Sequence, residues 1–213
     1  MADIFRIHPS HPQGRLLRQA AEVLRSGGLL ALPTDSAYAL CGRLGDADVL
    51  ARIRRIRGVD EHHHFTLLCR DLSEISSYAR VDNRQYRLLK AVTPGPYTFI
   101  LEGSRELPRR MLHPKRRTVG IRIPEHVVLQ ALLTELDDPL VSSTLIIAGE
   151  SEPLGGADDI QQRLKAQLDL ILDAGSCPPD VTTVVDLTTE PPRLLRQGRG
   201  SPARLGLDAS TIE

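Results

Sequence analysis

Arg122 sits in TVGIRIP (118–124), an alternating run that puts Val119, Ile121 and Ile123 on one face and the arginine on the other. A guanidinium in a half-buried strand is costly unless it meets an anion. Three anions are open: a neighbouring carboxylate, a nucleic-acid phosphate, or the charged groups of a small ligand. Other cations gather elsewhere in the chain. RIRRIRG (52–58) carries Arg52, Arg54, Arg55 and Arg57, and Arg70 follows, with Asp60 and Glu61 as the offsetting acids. Part of this is what a helix C-terminus favours through its dipole. PRRMLHPKRRT (108–118) carries Arg109, Arg110, His113, Lys115, Arg116 and Arg117 and no acid, so it is a basic surface patch suited to phosphate or to a nucleic-acid backbone.

Hydroxyls supply the rest. PTDSAY (33–38) follows an apolar run and offers Thr34, Ser36 and Tyr38. Loops at strand ends are where ligands sit in open sheets, and Pro-Thr-Asp-Ser is equally good turn chemistry. SST (142–144), TTVVD (182–186) and LLRQGRG (194–200) place further hydroxyls at strand ends, with Arg196 beside glycines, a composition suited to an anion cradle. The triple histidine 62–64 lacks the spacing of a metal site, since adjacent residues do not share a face and no HExxH or cysteine partner accompanies it. It reads as a loop in which one histidine turns toward a ligand. There is no Walker motif, no GxGxxG, no Ser–His–Asp order, no carboxylate pair and no cysteine nucleophile, so no catalytic residue is assigned. The chemistry indicated is electrostatic: cations and hydroxyls around a negatively charged ligand.

Helices and strands alternate around these residues. Helical periods cover 15–28, 46–58, 71–80, 82–92, 127–136 and 158–170, several opened by an aspartate cap. Strand patterns cover 4–7, 29–34, 65–69, 97–103, 118–124, 139–147, 170–175, 182–188 and 193–200. The pattern predicts one α/β domain with a mixed rather than purely parallel sheet, and a tail at its end. The chain has 213 residues, net charge zero, no Trp and 3% aromatics, which argues against a stacking platform for single-stranded nucleic acid. Three separated cysteines fit a reducing compartment, and no apolar run is long enough to span a bilayer. The expectation is a cytoplasmic protein with no membrane partner.

Taken in order, PTDSAYAL, RIRRIRG, HFTLL, TPGPYTFIL, TVGIRIPEH, SST, TTVVDLT and LLRQGRG resemble the YrdC/YciO-like family over roughly 10–205, and the YciO branch in particular. The resemblance implies one α/β domain over 10–205, a twisted mixed sheet flanked by helices with a large positively charged cavity, followed by a tail over 206–213. It also implies chemistry related to threonylcarbamoyl-AMP synthase, which uses L-threonine, bicarbonate and ATP with Mg²⁺ to make the intermediate for threonylcarbamoyladenosine in tRNA. It implies that Thr34, His64, Arg122, Ser142 and Thr182 bind substrate, with Arg122 on the threonine carboxylate. Arg55, Arg57, Thr118, Thr144 and Arg196 would face an ATP- or AMP-type nucleotide. Double-stranded RNA or tRNA would meet Arg109, Arg110, Lys115, Arg116 and Arg117. Two departures stand out. The first lysine of the family's Lys-x-Arg pair is Arg55, and the Ser-x-Asn signature has become Thr144-Leu145-Ile146, where an aliphatic side chain replaces the amide. The alternatives to synthesis are hydrolysis of threonylcarbamoyl-AMP, or binding of RNA or nucleotide without turnover.

Overall fold

The computed structural model describes residues 2–61, 63–112 and 117–207. His62, the patch residues Lys115 and Arg116, and the expected tail beyond 207 lie outside the described residues. The strands are β1 (Asp3–Arg6), β2 (Leu30–Leu32), β3 (Ala39–Arg43), β4 (Thr66–Leu68), β5 (Ala79–Arg80), β6 (Tyr97–Gly103), β7 (Thr118–Arg122), β8 (Leu140–Thr144), β9 (Leu170–Asp173), β10 (Thr183–Asp186) and β11 (Arg193–Arg196). The helices are α1 (Gly14–Arg25), α2 (Ala47–Arg57), α3 (Leu72–Tyr78), α4 (Asn83–Val92), α5 (Val127–Leu136) and α6 (Ala157–Leu164). The strands form one mixed sheet in the order β1-β9-β2-β3-β8-β4-β7-β6-β10-β11, with β5 beside β6. Parallel pairs (β1–β9, β2–β9, β4–β7, β6–β10) are interleaved with antiparallel ones.

Local chemistry sets the helix ends. Asp46 caps α2 by accepting from the backbone N–H groups of Asp48 and Val49, and Gly58 ends it in the left-handed region. Asp82 and Gln85 close a reciprocal capping box on α4. β3 is absent from the sequence expectation: ALCGR follows directly on the hydroxyl-rich loop and pairs back on β2 and β8. Residues 200–205 close the domain, and Leu207, just past its expected end, also packs on it. Pro202–Leu205 forms a 3-10 turn, and Leu205 and Leu207 pack against the core. Gly200 lies so close to the Tyr97 ring that a Cβ there would stand 2.5 Å from it.

The two faces of the sheet are covered unequally. On one face Val49, Leu50, Ile53 and Ile56 of α2, Ile160 and Leu164 of α6, and Leu89 and Val92 of α4 join strand residues from the width of the sheet in one core. On the other, α1 and α5 bury Leu17, Ala20, Leu24, Leu129, Leu132 and Leu133 against β2, β3, β4, β8 and β9, with Phe5 of β1 at the margin. The strands β6, β7 and β10 contribute nothing to that second core. Their residues on that face include the small or polar Thr98, Thr118, Gly120 and Arg122, with only Ile100 and Val184 apolar among those of β6, β7 and β10, and no described helix packs on this half of the face.

Candidate functional site

The open half of the sheet is the floor of a cavity of about 320 Å³, within the size range of small-ligand pockets. Register puts Ser142, Thr66, Gly120 and Ile100 opposite one another across β8, β4, β7 and β6, and Thr98 opposite Val184. The walls come from Ser36, Arg57, His63, His64, Arg122 and Arg196. Gly120 keeps the floor low: a Cβ there would stand 3.2 Å from Thr66 Oγ1 and 3.3 Å from Thr98 Cγ2. Replacing Gly120 with valine is therefore expected to fill the floor. Any AMP affinity of the parent protein should fall at least tenfold while the fold survives at a cost of about 1–3 kcal/mol, read by calorimetry and by urea denaturation.

Two cations face each other across this space. Arg57, the last residue of α2, donates to the Thr144 carbonyl at 2.5 Å, and its buried Nε has no hydrogen-bond partner within the described protein. Arg196 donates through Nε to the Thr182 carbonyl at 3.0 Å and through Nη2 to Thr182 Oγ1 at 3.2 Å. Thr182 Oγ1 in turn lies 2.8 Å from Thr98 Oγ1. Burial, and then Arg196, push the Arg57 pKa below its usual value, and burial does the same to Arg196. No carboxylate lines the cavity among the described residues. Arg196 reaches it through a bulge. Val184 opposes Arg196 while Val185 opposes Leu194, so Leu195 is the extra residue, and Arg196 turns onto the face of Thr98 and Val184.

Arg122 meets a carboxylate of its own chain. It is bridged to Asp35 of the 33–38 loop, both side chains being buried, and its Nη2 is 3.4 Å from Thr34 Oγ1. Of the three anions the sequence left open, the structure supplies the neighbouring carboxylate, although Arg122 also borders the cavity. The bridge leaves Asp35 Oδ2 and Arg122 Nε without a hydrogen-bond partner within the described protein.

Residues expected at the site separate into groups. Arg57, Arg122, Arg196, His64, Ser142, Thr144 and Thr182 line one cavity. Arg55 does not. It is exposed on the far side of α2, in a shallow hollow with Arg52 and Gln167, because residues two apart on a helix point about 200° apart. Thr34 is buried beneath the loop, its hydroxyl donated to the Ala37 carbonyl at 2.7 Å, and organises the turn. Thr118 is buried at the start of β7, outside the cavity lining. Arg109, Arg110 and Arg117 are exposed in the connection between β6 and β7, at the opposite end of that hairpin from Thr98 and Arg122. They form a surface separate from the cavity.

Sequence reasoning missed His63 and Ser143. His63 Nε2 is 2.9 Å from Ser143 Oγ, and its ring stands edge-on to Phe65 with centroids 5.3 Å apart. Arg54 lies over the Phe65 ring, 5.0 Å from its centroid. Burial, then the cations Arg57, His64 and Arg54, push the His63 pKa down to about 4. An unfolded histidine takes its proton near pH 6.5. Between those values the unfolded chain binds more protons, so stability is expected to fall as pH drops from about 6.5 toward 4. His63→Asn should flatten that decline, as read from urea midpoints at pH 7 and 5.

The lining offers hydroxyls and cations but no carboxylate or amide, and no group of three or more His, Cys, Asp or Glu among the described residues could hold a metal ion. This donor set does not fit a protein-held Mg²⁺. A second hollow of about 480 Å³ is larger, but Arg25, Arg43, Glu106 and Asp138 line it with both signs of charge, which gives it no preference for an anion. No helix among the described residues is long and apolar enough to cross a membrane.

Comparison with known proteins places the fold and the family. A sequence model of the Sua5/YciO/YrdC family, described as Telomere recombination, matches residues 22–198. The chain is 46% identical to the uncharacterized protein YciO of Escherichia coli K12, over 94% of this chain and 97% of that one. The crystal structure of E. coli YciO superposes with a TM-score of 0.93 at 45% identity, covering 96% of this chain and 100% of the other. Human threonylcarbamoyl-AMP synthase is 32% identical over 81% of this chain, which spans 63% of the human protein. Pyrococcus abyssi Sua5 complexed with L-threonine superposes with a TM-score of 0.85 at 26% identity, covering 92% of this chain and 58% of that one. By sequence and by fold, the chain belongs to the Sua5/YciO/YrdC family.

Proposed function

We propose that the cavity binds an adenylate together with L-threonine, and that the protein acts on threonylcarbamoyl-AMP or on the ATP, bicarbonate and threonine from which it is made. The observation that carries this reading is the convergence of Arg57 and Arg196 on a hydroxyl-paved space without a carboxylate. Two cations, Arg57 half-buried and Arg196 at the exposed rim, with no carboxylate among the described lining residues, favour a phosphoryl group. The relative crystallised with L-threonine supports the amino-acid half of the ligand. Arg57 and Arg196 would clamp the phosphate, Thr182 and Ser142 would orient it, and the low floor at Gly120 would admit it. Mg²⁺, where it serves, would travel on the nucleotide phosphates and spread their charge. The aliphatic residues of the 144–146 stretch supply no amide to the triphosphate, and Leu145 is fully buried in the core, so the synthetic direction is the weaker one here.

The test mixes pure protein with ATP, Mg²⁺, L-threonine and bicarbonate and follows pyrophosphate and threonylcarbamoyl-AMP, then supplies the intermediate and follows its decay. Formation or decay above the protein-free rate supports the reading. A protein that does neither, and binds neither AMP nor threonine in calorimetry, overturns it. A second reading, double-stranded RNA along the 109–117 connection, is favoured by the exposure of Arg109, Arg110 and Arg117. It predicts an affinity that falls steeply with salt and is indifferent to Gly120→Val.

A further inference from the structure

We propose that Ser143 and His63 form a nucleophile–base pair that hydrolyses an acyl-phosphate mixed anhydride held in the cavity. This rests on the reading of the cavity as an adenylate site. Ser143 lies on β8 and His63 on the segment entering β4, strands that pair antiparallel; both residues border the cavity beside Arg57, with Ser143 alternating to the α2 face of β8, opposite Ser142. Most of the neighbouring hydroxyls are otherwise engaged. Ser142 donates to the Thr66 carbonyl at 3.0 Å, Ser36 bonds Thr34, and Thr182 is shared by Thr98 and Arg196. Ser143, by contrast, has a base as its partner, at the 2.9 Å separation expected of a nucleophile and its activator. The imidazole is neutral at physiological pH, and with the proton on Nδ1 its Nε2 accepts from the serine hydroxyl. The Phe65 ring, packed between Arg54 and His63, fixes the plane of that imidazole.

The step balances with water as co-reactant. Ser143 Oγ gives its proton to His63 Nε2 and forms a bond to the acyl carbon. The bond from that carbon to the phosphate oxygen breaks, and its electron pair leaves with the phosphate monoester between Arg57 and Arg196. The imidazolium loses its proton to solvent. His63 then takes a proton from water, whose oxygen attacks the acyl carbon, and returns a proton to Ser143 Oγ as the acyl–serine bond breaks. The products are the free carboxylic or carbamic acid and the nucleoside monophosphate.

The experiment treats the full-length protein with diisopropyl fluorophosphate and follows the adduct by intact mass and peptide fragmentation. A single adduct on Ser143 is expected. It should be lost in Ser143→Ala, slowed at least tenfold in His63→Asn, slowed by 5′-AMP, and its rate should fall with pH as the imidazole protonates. Ser143→Cys, which keeps the size of the side chain, should be alkylated by iodoacetamide at a rate that His63→Asn lowers. No adduct on Ser143, or one formed equally fast without the imidazole, overturns the pair. AMP that binds in calorimetry without such labelling defeats the pair and leaves the adenylate reading standing. Labelling that AMP neither slows nor follows with binding defeats the adenylate reading and leaves the pair.

Discussion

Arg122→Ala is expected to lower the unfolding free energy by about 3–5 kcal/mol, because it leaves the Asp35 carboxylate buried without its counter-ion. The loss should show as a shifted urea midpoint with an unchanged slope. Arg122 is 6% exposed and its bridge to Asp35 is out of water, so solvent screens the missing charge poorly. Asp35→Asn combined with Arg122→Met should restore most of the stability, since replacing both partners by uncharged groups removes the stranded charge. A double-mutant cycle would then give a coupling of about 2–3 kcal/mol. A cycle with no coupling would mean that the bridge does not hold the 33–38 loop on the sheet.

Arg57→Ala and Arg196→Ala are expected to behave in the opposite way. Each should weaken AMP binding about tenfold to a hundredfold, the range for losing a charge-assisted hydrogen bond to a phosphate. Stability should stay within about 0.5 kcal/mol, since each deletion gives up one or two hydrogen bonds and also relieves a desolvated cation facing another. The double variant should lose at least as much affinity as the product of the singles, because deleting Arg196 relieves Arg57 of a neighbouring like charge. Calorimetry with AMP alongside urea denaturation checks both halves. A large stability loss without an affinity change would mark the two arginines as structural.

Much of the architecture was legible in the residues. Period-3.6 runs with aspartate caps located the helices, and apolar runs bounded by Pro and Gly located most strands. β3 was hidden because its short apolar stretch continues the hydroxyl loop without a turn signal of its own. The 3-10 turn at 202–205 was hidden because its anchor is Leu205 and Leu207 meeting a core built elsewhere. Within the site, the Arg57 and Arg196 positions followed from motif resemblance, but their facing did not. The helical period alone argues against Arg55 and Arg57 sharing a face. The choice of His63 beside His64 depends on how the chain enters β4. Asp35 read as ordinary turn chemistry, because its partner is 87 residues away. Arg196 could not be assigned a face at all by alternation, since one bulged residue reverses it.

That bulge also bears on solubility. β11 is the last strand of the sheet, so its outer edge is where another chain could add a strand. The register shift at Leu195 interrupts the ladder there and twists the edge, while Arg193 and Arg196 flank the exposed leucine. Deleting Leu195 would turn Arg196 out of the cavity and straighten the edge in one change. A chain with an interrupted outer edge would become one whose terminal strand is a regular template for edge-to-edge aggregation.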